Sequence, residues 1–153
     1  MEYKVSRLAA CDEQINQVCE KLLLQLKCDF IGLALQNTEG PNIKWHYAAG
    51  NSNDKYKRIT LRFGKGIAGR VISTGRPMYI ENFPEKILGK ALEYPIMLAE
   101  NILFAYAVPI FSNNIPKGVI LAGNREKRAI NEREQATVRE TAKILEEKLN
   151  RLI

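Results

Sequence analysis

Histidine occurs once in this chain, at His46, and cysteine only at Cys11, Cys19 and Cys28. Each scarcity removes a class of function. Three thiols and one distant imidazole do not complete a four-cysteine cluster, so no metal site is expected. An odd cysteine count without a secretory leader argues against a disulfide framework. Cys11 and Cys19 fall among the apolar positions of a helical pattern, where a thiol behaves as a small buried hydrophobe. No uninterrupted apolar run reaches the roughly 18 residues of a membrane span. The opening stretch MEYKVSRLAACDEQ has no apolar core of a signal peptide. These two absences read as a cytoplasmic protein with no membrane partner. A Gly-Lys-Ser/Thr phosphate loop is missing, and no nucleophile–base pair or acid cluster emerges, so catalysis is disfavoured and no cofactor is expected.

What is present suits one soluble globular domain over residues 1–153, with 46% hydrophobic and 26% charged residues. The net charge of +6 is concentrated: Asn51 to Arg76 holds seven basic residues (Lys55, Lys57, Arg58, Arg62, Lys65, Arg70, Arg76) against one acid, Asp54. Such a segment is either a solvated basic face or a field that draws anions. Nucleic acid is a weaker candidate, because few aromatics are available for stacking and no binding motif is recognisable.

The basic segment brackets a glycine loop, RFGKGIAGRVISTGRP, with the spacing Gly64-x-Gly66-x-x-Gly69. A glycine loop that opens a helix exposes backbone N–H groups at the positive end of the helix dipole, which suits any anion. A dinucleotide fold would also require parallel βαβ units, a longer helix and an acid at the end of the next strand. Here Gly75 and Pro77 stop the helix after about two turns, Ile67 to Thr74. The spacing therefore points to an anion before it points to a nucleotide.

Along the chain, Tyr3 to Lys27 reads as an amphipathic helix with Val5, Leu8, Ile15, Cys19, Leu22 and Leu26 on its seam. DFIGLALQ and IKWHYAAG read as a hairpin around the turn residues Thr38 to Asn42, and ITLRF as a short strand. PMYIEN is extended, and Phe83 to Asn101 is irregular or short-helical because Pro84, Gly89 and Pro95 break it. LFAYAVPIF and KGVILAGN form a second hairpin joined by SNNIP. The last helix, Asn131 to Leu152, opens with Asn131 and Glu134 in capping-box spacing. Its seam is Val138, Ala142 or Thr141, Leu145, Leu149 and Leu152. Helices at both ends of consecutive hairpins predict an α+β fold on an antiparallel sheet.

Gly64-Lys65-Gly66-Ile67-Ala68-Gly69, Thr74-Gly75-Arg76-Pro77, Val108-Pro109-Ile110 and Lys117-Gly118-Val119-Ile120 resemble the GAF domain family, over nearly the whole chain. The resemblance implies a GAF fold: a central sheet of five to six strands, terminal helices on one side and a ligand pocket on the other. Trp45, Ile67-Ala68 and Tyr94-Pro95-Ile96 further resemble the family's stand-alone nitrate receptors. That implies nitrate as ligand, a sensor histidine kinase as partner in nitrate/oxygen two-component regulation, and no turnover. The ligand-binding candidates are Trp45, Gly66, Ile67, Ala68, Tyr94, Pro95 and Ile96. Arg62, Lys65 and Arg70 are expected to form a surface field. Trp45, Ile67 and Ala68 would equally serve as ordinary core. Cyclic nucleotides are the alternative ligands, free methionine sulfoxide reductase the alternative activity. The residues 83–101 and the terminal helices are the candidate output surfaces, the helices also for a homodimer.

Overall fold

A computed structural model describes the backbone of residues 2–37 and 40–152, and the side chains of 11–37 and 40–150. The predicted seam positions Val5, Leu8 and Leu152 and the turn residues Thr38 and Glu39 lie outside the described side chains. The chain runs α1 (Glu2–Leu26), β1 (Phe30–Gln36), β2 (Ile43–Ala49), β3 (Thr60–Leu61), α2 (Gly66–Thr74), β4 (Met78–Ile80), α3 (Pro95–Ala99), β5 (Phe104–Ser112), β6 (Ile115–Asn124) and α4 (Glu132–Leu152). All strand pairs are antiparallel, in the order β3-β2-β1-β6-β5-β4.

Local chemistry sets the element ends. Asn131 N–H donates to Glu134 Oε1 at 3.1 Å, and Glu134 N–H returns a bond to Asn131 Oδ1 at 2.9 Å, which closes the capping box of α4. Gly75 takes the left-handed conformation (φ 66°) and donates to the Val71 carbonyl at 2.8 Å, ending α2. The β5–β6 connection is shorter than the five residues SNNIP. Asn113 and Asn114 both have positive φ (53° and 65°), the backbone of a two-residue hairpin turn, so β6 already begins at Ile115.

The sheet separates two apolar clusters. On one face, α1 and α4 pack on each other and cover Ile31, Leu33, Val108 and Ile120, with Cys11, Cys19 and Cys28 in the same cluster. On the opposite face, α2 and residues 83–102 cover Ala34, Ala105, Val119 and Leu121. Successive residues of β6 alternate between the clusters (Val119, Ile120, Leu121, Ala122), as the two-residue period of a pleated strand requires. No helix among the described residues is long and apolar enough to cross a membrane.

One irregularity matters for the site. In β2, Tyr47 pairs with Leu33 and Trp45 with Ala34, so His46 is an extra residue, a β-bulge. Without it, residues 45 and 47 would share a face. With it, Ile43 and Trp45 enter the cluster beneath α2, whereas Tyr47 and Ala49 pack toward α1 and α4.

Candidate functional site

The glycine loop folds back onto the helix it opens. Gly64 N–H donates to the Gly69 carbonyl and Lys65 N–H to the Arg62 carbonyl, both at 3.0 Å. A Cβ at Gly69 would stand 2.6 Å from the Arg62 carbonyl oxygen, so only glycine permits this approach. Lys65 precedes α2 in an extended conformation and provides no side-chain cap, and no acid lies in the first turn. The N–H groups of Ile67 and Ala68 thus lie among those that a helix leaves without internal acceptors. Both residues are fully buried, so water does not reach them as it would at an exposed helix start.

Trp45 is 2% exposed, and its indole Nε1 is buried with no acceptor among the described residues. A buried unpaired N–H is unfavourable by about 1–3 kcal/mol, so this donor marks the cluster as chemically incomplete. Gly32 on β1 makes room for the ring: a Cβ there would come within 3.0 Å of the indole Cζ3.

The structure brings five of the seven candidates, Trp45, Ile67, Ala68, Tyr94 and Ile96, into this one buried cluster. Gly66 is buried at the helix start with φ 65°, and a Cβ on it would lie 3.2 Å from the Glu93 carbonyl, which seats the 93–96 stretch against the loop. Pro95, the first residue of α3, is only half-buried. The Tyr94 hydroxyl donates to the Leu88 carbonyl at 2.6 Å, and its ring meets Phe83 edge-on at 5.8 Å between centroids. Burial pushes the Tyr94 phenol above its usual range, against the opposing pull of Arg70.

Arg70 departs from the expected surface field. Arg62 and Lys65 are exposed, but the Arg70 guanidinium lies over the Tyr94 ring at 5.7 Å, donates to the Leu88 carbonyl at 3.3 Å and pairs with Glu93 at 3.8 Å. Two features had no sequence signal. Phe83, Met97 and Ile102 complete the apolar wall. Glu100, fully buried just after α3, accepts from Ser52 N–H at 2.8 Å, from the Ser52 hydroxyl at 3.0 Å and from the Arg125 guanidinium. That network pins the end of the 83–101 segment to the sheet.

The cysteines lie on the far face of the sheet from this cluster. All three are buried and free, and burial pushes the thiols up, Cys19 to about 12 and Cys28 to about 11. They stay protonated near neutral pH, and a protonated thiol is a poor nucleophile. Among the described residues no group of His, Cys, Asp and Glu is arranged to hold a metal ion. The cluster therefore places hydrogen-bond donors among apolar side chains. It presents no acid–base or nucleophilic pair.

Comparison with known proteins identifies the fold family. The family model described as GAF domain matches residues 11–147. The chain is similar to a Staphylococcus aureus NreA protein mutated in its nitrate binding site, at 35% identity and a TM-score of 0.73, over 79% of this chain and 90% of that one. It is also similar to the hypothetical protein SA1058 from S. aureus, at 37% identity and a TM-score of 0.69, over 75% of this chain and 95% of that one. A free methionine-R-sulfoxide reductase from Neisseria meningitidis, solved with its substrate, has a TM-score of 0.74 but 17% identity, over 93% of this chain and 78% of that one, so it shares the fold. No curated protein matches the chain.

Proposed function

The chain belongs to the GAF domain family, and from that premise we propose that it is a nitrate sensor that modulates a sensor histidine kinase in a nitrate- and oxygen-responsive two-component system. The observation that carries this reading is a sealed apolar cluster holding donors without acceptors: Trp45 Nε1 and the uncapped start of α2. Such a cluster is completed by a small ligand rich in acceptors and free of donors. Nitrate is planar, singly charged and weakly hydrated, so it gives up little on entering an apolar enclosure. The Ile67 and Ala68 amides, at the positive end of the α2 dipole, and the Trp45 indole are the donors assigned to it. Gly66 permits the close approach, and Tyr94, Pro95 and Ile96 form the closing wall. The nitrate site named for the similar NreA protein supports the same choice.

A cyclic nucleotide would need room and polar partners for a purine and a ribose, and the cluster is lined by fully buried apolar side chains. Reductase chemistry would need a reactive thiol on the α2 face, and the cysteines lie on the other. The protein is accordingly read as a binding module over 1–153, acting in the cytoplasm. Its output passes through residues 83–101, which carry Tyr94 and Ile96 inward and Leu88, Leu92 and Leu98 outward. Ligand shifts the population of a kinase-competent surface by its differential affinity for two states. Self-association through α1 and α4 is the second route.

Calorimetric titration with nitrate, cyclic GMP and methionine sulfoxide tests the ligand, and only nitrate should give saturable heat. Autophosphorylation of the kinase is then followed with and without nitrate, using the natural protein and Ala68→Glu, which fills and charges the cluster. Binding of either other compound in place of nitrate overturns the ligand; kinase activity equal in all four conditions overturns the output.

A further inference from the structure

The geometry points to Arg70 as the positioning residue that latches the 84–93 stretch over the anion site and so sets how long the ligand stays. This rests on the reading of the α2 start as that site. The segment is fastened firmly at its two ends. At one, Phe83 N–H donates to the Leu103 carbonyl at 2.8 Å; at the other, the Glu100–Arg125–Ser52 network holds the chain. Between them the backbone bonds are local, Glu85 to Asn82, Glu93 to Lys90 and Tyr94 to Ala91. Among the described residues, the polar tethers that join 84–93 to the rest of the fold are the Tyr94 hydroxyl on the Leu88 carbonyl and two contacts from Arg70, one to the same carbonyl and one to Glu93.

Arg70 sits on the helix whose first turn supplies the Ile67 and Ala68 amides, one turn further along. Its guanidinium also covers the Tyr94 ring, whose hydroxyl donates to the same Leu88 carbonyl. One side chain therefore joins the donor end of the site to its closing wall. The contacts are long, 3.3 Å and 3.8 Å, and Arg70 Nε is buried with no acceptor among the described residues. A tether of this quality holds the stretch closed, and its release gives up two weak polar contacts and the partial burial of Ile87 and Ala91 while the fully buried residues of the cluster stay in place, as a ligand exchanging with solvent requires. The planar fork and the stacking are properties of arginine that lysine lacks.

Two readouts on the full chain test the latch. Amide hydrogen exchange of the ligand-free protein reports whether 84–93 is tethered. Stopped-flow release of nitrate, followed by Trp45 fluorescence, reports residence time. Arg70→Ala should raise exchange at Leu88 to Tyr94 and speed release by about tenfold, leaving exchange in β1, β5 and β6 unchanged. Arg70→Lys should restore less than half of either effect. Arg62→Ala removes an exposed charge of the same sign and should change neither. Glu93→Gln removes the ion pair from the other side and should act in the same direction more weakly, which keeps the test open if Arg70→Ala does not fold. Unchanged exchange in Arg70→Ala and Glu93→Gln overturns the latch, as does an equal effect of Arg62→Ala, which would mark a general field. If the natural protein shows no nitrate signal, the ligand assignment fails, and the exchange data alone decide the latch.

Discussion

Replacing Trp45 by Phe separates an anion donor from an ordinary core tryptophan, because each role predicts a large change in a different one of two measurements. In the ligand-free protein the indole N–H is buried with no acceptor among the described residues, and relieving such a donor returns about 1–3 kcal/mol. Phe keeps the first ring but gives up the apolar area of the second, a loss of about 1–2 kcal/mol at ~0.8 kcal/mol per buried CH2-sized group. The terms oppose each other, so the free energy of unfolding in urea, followed by far-UV circular dichroism, should change by less than about 1 kcal/mol. With nitrate present the same substitution removes a charge-assisted hydrogen bond of about 1.5–3 kcal/mol, which raises Kd by about 10- to 100-fold in calorimetry. A stability loss above about 3 kcal/mol together with an unchanged Kd would refute the reasoning, since it would describe a well-satisfied core side chain remote from the ligand.

Gly69→Ala should lower stability by about 1–3 kcal/mol in urea unfolding, because its Cβ meets the Arg62 carbonyl at 2.6 Å and prises the loop from α2; a neutral result would mean that the loop yields freely. Alkaline pH should destabilise the protein through Cys19. Its folded pKa is raised to about 12 from an ordinary 9, so the folded state keeps the proton that the unfolded state releases. That stability is complete below pH 9 and is lost as pH rises toward 12, at up to about 1.4 kcal/mol per unit. Melting curves across that range should be less steep in pH for Cys19→Ala, and an identical slope would assign the effect elsewhere. Nitrate incubated with the protein and a reductant should be recovered unchanged by ion chromatography, and stoichiometric nitrite would overturn the binding-only reading.

Much of the architecture was legible because it rests on local chemistry. The three–four spacing of Ile15, Cys19, Leu22 and Leu26 marks one buried helical stripe, and all four are buried. Asn131 with Glu134, and Gly75 before Pro77, announce a helix start and a helix stop, and both form the expected bonds. The Gly64–Gly69 spacing likewise implies an uncapped helix start, since glycine conformations and missing N–H partners belong to the nearest few residues. The exception at this level was the β5–β6 turn, where the asparagine pair closes the hairpin in two residues rather than five.

What sequence could not decide was direction and company. Strict alternation places residues 45 and 47 on one face of β2; the pairing of β2 with β1 inserts the bulge at His46 and sends Trp45 to the α2 face alone. Register belongs to two strands at once, so no stretch of either strand specifies it. Arg70 reads, in sequence, as one more member of a basic run. Only the approach of residues 88–94, eighteen or more positions later, turns it inward over Tyr94. The orphaned indole N–H is a tertiary fact for the same reason: a donor becomes unpaired when every neighbour that folding brings to it is apolar. Composition and spacing determined the helices, the strands and a loop suited to an anion. Long-range packing decided which donors share an enclosure, because that depends on segments meeting across the sheet.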